Sequence, residues 1–307
     1  MADIPDPRLE SLSALYQPRK TTYAQITFGD VAGMGDDGSL PGELINQLAQ
    51  WEAYIAILRA FENPITAAPP TPEQDLHAMQ TEFLLSDLLR VEAHKARLGE
   101  ERQKGARDRS ELDQEISLFQ GLAETLQENK PLRDLSLSTA DHELLQGYGL
   151  ITTKPLLLVH NLEEGMDARP LTTGLPSFKM YGKLEAELVQ LPTEEAVGFR
   201  KEFGIAQAGN EGLMLACLDL LQQIRFYTVS EAEVKAWLLP KDSTAQQAAG
   251  TIHSDMARGF IRAEVIQWDE LVELGGLAEA RAVGKLRVEG KEYVPLDGEV
   301  IHIRFNV

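Results

Sequence analysis

Apolar positions 9, 12, 14 and 15 recur at roughly helical spacing between Pro7 and Tyr16, and Pro18 stops that helix. Thr22 to Phe28 alternates in polarity and carries Tyr23, Ile26 and Phe28, the pattern of a strand. It runs into a glycine-rich turn, Gly29-Asp-Val-Ala-Gly-Met-Gly-Asp-Asp-Gly38, and a helix is predicted to begin near Pro41. Ala53 to Phe61 fits a helix or a buried strand equally well, and the four prolines between Pro64 and Pro72 mark a loop. Beyond Glu73, Phe83, Leu84, Leu88, Val91 and Leu98 return at helical spacing, as do Leu112, Ile116, Phe119, Leu122 and Leu126 after a polar break at 103–110. Two amphipathic stretches around a polar turn predict a long antiparallel helical hairpin, a separate subdomain over 73–137.

Pro155 to His160 is a short continuous apolar run, the mark of a strand buried on both faces. Helices are predicted over Glu194–Phe203 and Asn210–Arg225. The tail then turns to strands: Phe226–Val229, Val234–Leu238 and Ile261–Ile266. Ser243 and Gln246 fit a capping box for one intervening helix, which Gly259 is placed to end. Asp297-Gly298 reads as the turn of a hairpin between Tyr293–Leu296 and Val300–Phe305. One helix on a mixed sheet is a β-grasp-like arrangement.

Composition narrows this picture without changing it. With 307 residues the length suggests about two domains, and 43% hydrophobic with 25% charged residues is ordinary for a globular protein. A net charge of −19 opposes nonspecific binding to phosphate backbones or anionic membranes, yet allows a local basic patch. The single cysteine, Cys217, has apolar neighbours and reads as a buried structural thiol. The N-terminus shows no signal-peptide pattern, and no stretch approaches the ~20 apolar residues of a membrane span, so a cytoplasmic protein is expected.

The tail motifs are the most specific. They are Ala245-Gln-Gln-Ala-Ala-Gly250, Ile252-His253, Arg258-Gly-Phe-Ile-Arg-Ala263, the stretch Gly284–Tyr293, and Asp297–Val307. Together they resemble the C-terminal TGS domain, a β-grasp module, of the YchF-type Obg-like ATPases. Pro5-Asp-Pro-Arg-Leu9 is similar to that family's segment after switch I, and Asp30-Val-Ala-Gly33 to its D-x-A-G switch II motif. Thr81–Leu88 resembles the start of the family's helical insertion, and Thr153-Lys-Pro155 the approach to its base-recognition strand. Asn161-Leu-Glu-Glu164 fits the N-x-x-E base motif, a form associated with ATP over GTP, and Lys183–Glu187 sits where the last nucleotide-binding loop belongs.

The resemblance implies an α/β fold: an incomplete P-loop NTPase-like (G-domain) sheet over 1–72 and 138–224, the inserted α-helical hairpin at 73–137, and a TGS domain at 225–307. It also implies nucleotide contacts at Asp30, Gly33, Asn161 and Glu164, with Asp30 near magnesium. The family's phosphate loop, G-x-x-x-x-G-K-[ST], occurs nowhere in these 307 residues. That loop supplies the backbone N–H nest, lysine and hydroxyl on which phosphoryl transfer depends. Two readings follow. One is a ribosome- or RNA-associated binding module of the translation apparatus that does not hydrolyse nucleotide as this chain stands. The other is an ATP or GTP hydrolase whose strand and phosphate loop are missing from the sequence. Cofactors are ATP or GTP with magnesium, or none; enzymatic activity and catalytic residues stay open.

Other motifs have competing readings. Gly33-Met-Gly35-Asp-Asp-Gly38 matches G-x-G-x-x-G, but Asp36 and Asp37 would face a pyrophosphate with like charge, which favours a switch-like loop. Asp30 serves as well in a turn as beside a metal. None of the six histidines shows metal-ligand spacing, and His160 reads as a satisfied core histidine rather than a base. Arg90 to Arg109 carries seven basic residues against four acidic ones, which fits an RNA or ribosome contact or a solvated face laced with ion pairs.

Overall fold

The computed structural model describes residues 1–31, 41–62, 69–105, 107–166, 173–202 and 208–306. Two compact units emerge, Met1–Gly29 with Asn210–Val307, and Asp30–Gly209. The chain begins with strand β1 (Ala2–Asp3) and helix α1 (Pro7–Tyr16). The Asp6 carboxylate caps α1 by accepting from the Arg8 N–H, and Gln17, at φ 45°, ends it ahead of Pro18. The strand expected over 22–28 is instead two short pieces, β2 (Lys20–Thr22) and β3 (Gln25–Ile26). β3 pairs antiparallel with β1, whereas β2 joins the sheet of the C-terminal residues.

In the unit Asp30–Gly209, α2 (Gly42–Leu48) leads to β4 (Tyr54–Arg59), which settles the ambiguous segment as strand. Helices α3 (Pro72–Lys104) and α4 (Arg109–Gln127) form the expected hairpin around Gly105, at φ 68°. The hairpin has its own core, with Val91, Leu98, Leu112, Phe119 and Leu122 buried together. After α5 (Thr139–Leu145) come β5 (Leu156–Asn161), β6 (Ser177–Met180), α6 (Gly182–Leu188) and α7 (Thr193–Glu202). β4, β5 and β6 make a parallel sheet in that order, with β5 central and its apolar run buried as expected. Leu76 and Phe83 of α3 pack with Leu44 of α2 and with Tyr54, Leu156 and Leu158 of the sheet. Tyr54 donates its N–H to Pro155 and Ala60 donates to Asn161, so alternate residues of β4 address β5. Ile55 and Ile57 address the other edge, with which no strand pairs among the described residues, and the Ile57 side chain is 68% exposed.

The second unit adds α8 (Gly209–Leu220), β7 (Gln223–Val229), β8 (Glu233–Pro240), α9 (Ala245–Ile252) and α10 (Ser254–Arg258). It closes with β9 (Phe260–Gln267), α11 (Trp268–Leu274), α12 (Leu277–Ala282), β10 (Arg287–Glu289) and β11 (Glu299–Phe305). The mixed sheet runs β10-β9-β11-β7-β8-β2. Ala245, Ala248 and Ala249 of α9 pack with Phe226, Val265 and Ile301, the grip of a β-grasp. A second core joins Leu9 and Leu12 of α1 to Tyr227, Ile266, Leu271 and Val300. The capping box is one residue later than expected: Thr244 accepts from Gln247 N–H and Gln247 reaches back to Thr244. No hairpin forms at Asp297-Gly298, because β11 enters the middle of the sheet between β9 and β7. The Asp297 carboxylate instead accepts from Arg225 N–H at 2.7 Å and from Arg8 at 2.5 Å.

Residues 1–29, assigned from sequence to the nucleotide-binding-like part, pack here with the C-terminal residues. Asp6 is the reason. It is 2% exposed and accepts from Arg8 Nε at 3.0 Å and Tyr227 Oη at 2.6 Å, with Arg225 at 3.1 Å. Burial pushes its pKa up, but the Arg8 and Tyr227 hydrogen bonds and the Arg225 charge outweigh this and hold it below the usual carboxylate value. The folded pKa lies below the unfolded one. The stabilisation is therefore complete above the ~3.9 of an unfolded aspartate and is lost as pH falls through the lower folded value. Asp6→Ala should cost ~3 kcal/mol in denaturant unfolding at pH 7, since it strands a buried hydroxyl and two guanidinium groups. The gap to wild type should close as pH drops below ~3.9.

Candidate functional site

The carboxyl ends of β4, β5 and β6 converge, and parallel α/β sheets present their ligand crevices at such ends. Two side chains hold β5, one at each end. Ahead of the strand, buried Asp87 on α3 accepts from Ile151 N–H at 2.8 Å and from both the amide and hydroxyl of Thr152 at 2.6 Å. Burial raises the Asp87 pKa despite these donors. Asp87 belongs to the Thr81–Leu88 motif, and its partners immediately precede Thr153-Lys-Pro155, so two separate sequence motifs form one clamp.

At the far end of β5, Asn161 Oδ1 accepts the Gly182 N–H at 3.0 Å. This brings together the N-x-x-E segment and the Lys183–Glu187 segment, as their predicted roles require. The approach needs glycine: a Cβ on Gly182 would lie 2.8 Å from Asn161 Oδ1. Leu162 N–H donates to Met180 at 2.8 Å, and Tyr181 Oη donates to the Met166 carbonyl at 3.1 Å, which fixes the loop after β5. Glu164 lies exposed on that loop.

A cavity of about 610 Å³ opens beside this loop, among Phe61, Leu162, Met166, His160, Thr71 and Gln74. Its walls are apolar where β4 and β5 end and polar where α3 begins. Asp30 is exposed, and no group of three metal-ligating side chains occurs among the described residues. Gly33 and the literal G-x-G-x-x-G lie outside the described residues. Among the described residues, this cavity of mixed polarity lies directly beside the N-x-x-E loop.

A family model named YchF-GTPase_C, described as a protein of unknown function (DUF933), matches residues 223–306. The ribosome-binding ATPase YchF of Bacillus subtilis is 33% identical over 100% of this chain and 88% of its own length. The chain belongs to the YchF-type Obg-like ATPase family. Obg-like ATPase 1 of Oryza sativa is 31% identical over 99% of the chain and 82% of the relative. In three dimensions the YchF GTPase of Schizosaccharomyces pombe superposes with a TM-score of 0.85 at 24% identity, over 99% of this chain and 86% of the other. A GTP-binding protein from Pyrococcus horikoshii gives 0.55 at 16%, over 85% and 80%. The α/β, P-loop GTPase-like fold expected from the motifs is thereby established.

Several residues of this YchF-family cavity carried no sequence signal. Phe61 and Met166 flank the recognisable motifs without belonging to one. His160 is buried, as expected, and its imidazole makes no hydrogen bond to a described residue. Most of the basic bias of 90–109 resolves into ion pairs, Lys95–Glu92, Arg102–Asp113, Lys104–Glu100 and Arg107–Glu115. Arg90 donates to the carbonyls of Tyr148 and Gly149, and exposed Arg97 and Arg109 make no such pair. Cys217 is buried and its thiol pKa is pushed up to about 11, as befits a structural cysteine.

The Asn161–Gly182 contact makes a direct prediction. Gly182→Ala should force Asn161 away and lose its hydrogen bond, at ~1 kcal/mol in denaturant unfolding. In an Asn161→Ala background the same change should cost almost nothing, so the double-mutant cycle should show coupling of ~1 kcal/mol.

Proposed function

We propose that this chain is a ribosome-associated, purine-nucleotide-binding member of the YchF family that engages the base end of ATP or GTP and does not itself hydrolyse it. The cavity at the ends of β4 and β5, beside Asn161, carries this reading. Its size and its walls, apolar at Phe61, Leu162 and Met166 and polar at Thr71 and Gln74, suit a purine, and the N-x-x-E form of its loop favours ATP. The names of the relatives, ribosome-binding ATPases, support ribosome association and nucleotide binding. Asn161 would hold the base loop in register and Glu164 would approach the base edge. Asp30, with the Gly33 amide nearby in sequence, would act as the switch, Asp30 reaching magnesium through water. Magnesium would supply charge neutralisation on the phosphates. These 307 residues contain no phosphate loop to share that task, so binding without turnover is the expected behaviour.

A second reading, a hydrolase of the same family completed by a further strand and phosphate loop, is favoured by the edge of β4, with which no strand pairs among the described residues. That edge has the backbone groups to accept one more parallel strand.

Isothermal titration of the 307-residue chain with ATP and with GTP, each with magnesium, separates these readings when paired with a phosphate-release assay. The first predicts binding, tighter for ATP, with no phosphate release above buffer. Release that saturates with nucleotide would move the assignment to a hydrolase. No binding at millimolar nucleotide would remove the base-site reading.

The tip of the helical hairpin is the proposed ribosome contact, through Arg97 and Arg109. Co-sedimentation with ribosomes should weaken with salt, and Arg97→Glu with Arg109→Glu should lower it several-fold while leaving the melting temperature within a few degrees. Unchanged co-sedimentation would place the contact elsewhere.

A further inference from the structure

We infer that the outward face of α3 is a self-association surface, on which a second copy of this chain packs its own α3 antiparallel. Along α3, Leu84 and Leu88 turn into the core of the helical hairpin. Leu85 and Leu89, one helical turn apart, turn the other way and are 49% and 65% exposed. Ala93 and Ala96 are exposed and continue the same face towards Arg97. A single outward leucine needs no explanation. Two in successive turns, followed by two alanines, make a continuous apolar stripe roughly 16 Å long on an otherwise polar helix face.

Size and charge make a second copy the fitting occupant. The stripe is bulky at its leucine end and shallow at its alanine end, so an antiparallel copy of itself complements it. With Leu89 on the two-fold axis, residues equidistant from it along the helix face each other. Leu85 then lies over Ala93 of the second copy, and the reverse. Glu82 and Arg97 stand at nearly equal distances on either side of Leu89. At 3.6 residues per turn both project from the same flank of the stripe, the flank that meets its own counterpart in an antiparallel pair. Each carboxylate is thereby brought beside the guanidinium of the other copy, twice by symmetry. Among the described residues neither side chain forms an ion pair within its own chain, so both are available. The face is narrow and falls short of the ~800 Å² per partner of a standard interface, which makes the association weak and reversible. Arg97 is also the ribosome contact proposed above, so the paired form is the one free of the ribosome.

Sedimentation equilibrium of the full chain, from about 1 to about 300 μM, spans the range of such an interface. The wild type should pass from monomer to dimer and no further, because two-fold pairing closes on itself. Leu89→Glu sets two like charges together on the axis and should weaken dimerisation at least about tenfold. Glu82→Arg and Arg97→Glu should each weaken it several-fold, and the two combined should bring it back to within about twofold of wild type. The substituted side chains are exposed or half-buried, so the melting temperatures should stay within a few degrees of wild type and show that each variant folds. A monomer at every concentration would overturn the inference. So would a dimer indifferent to Leu89→Glu, whose interface would lie elsewhere, or a double variant that associates no better than the single ones. No ribosome enters these measurements, so their failure would leave the proposed ribosome contact standing.

Discussion

Strand β5 is held at each end by one side chain from a hydrogen-bonded clamp, and the candidate site depends on where those clamps put it. Asp87 fixes the turn that feeds the strand, through two amides and a hydroxyl. Asn161 fixes its exit against the start of α6. Between them lies a run buried on both faces, which hydrophobic burial stabilises but cannot place in register by itself. The polar ends supply the register. Once β5 is placed, Phe61 on one side and Leu162 and Met166 on the other enclose the cavity, and His160 comes to lie in its wall.

The clamps also explain why widely separated motifs belong together. Asp87 sits 64 and 65 residues from its partners, and Asn161 sits 21 from Gly182. Each pairing joins two short sequence signatures that mean little alone. The same logic runs in the other unit, where Asp6 and Tyr227 meet across 221 residues and draw the first 29 residues onto the C-terminal sheet. In both places a buried carboxylate or amide, satisfied by several donors, acts at long range as a specific fastener.

The parts of this fold that could be read from sequence are those with local causes. The apolar run of β5, the two periodic stretches of the hairpin and the helix of the β-grasp all follow from short-range pattern. The placement of residues 1–29 does not, because nothing in Pro5-Asp-Pro-Arg-Leu9 shows that Asp6 will face Arg225 and Tyr227. The capping box slipped by one residue because Ser243/Gln246 and Thr244/Gln247 have the same spacing and chemistry. Asp297-Gly298 looked like a hairpin turn because turn chemistry is local, while strand order is not; the aspartate instead serves Arg8 and Arg225. In the site, Asn161 was legible through its motif, whereas Phe61 and Met166 became visible only when β4 and β5 were side by side. The satisfaction of His160 could not be read from an apolar run, since partnership is a property of three-dimensional neighbours.

The central claim is that the carboxyl end of this three-stranded sheet holds a purine base. A crystal structure of the 307-residue chain with bound ATP tests it most directly. The account predicts the base between Phe61 and Leu162, with the Asn161–Gly182 hydrogen bond intact beside it. A base bound at any other place on the chain, with this cavity empty, would contradict it.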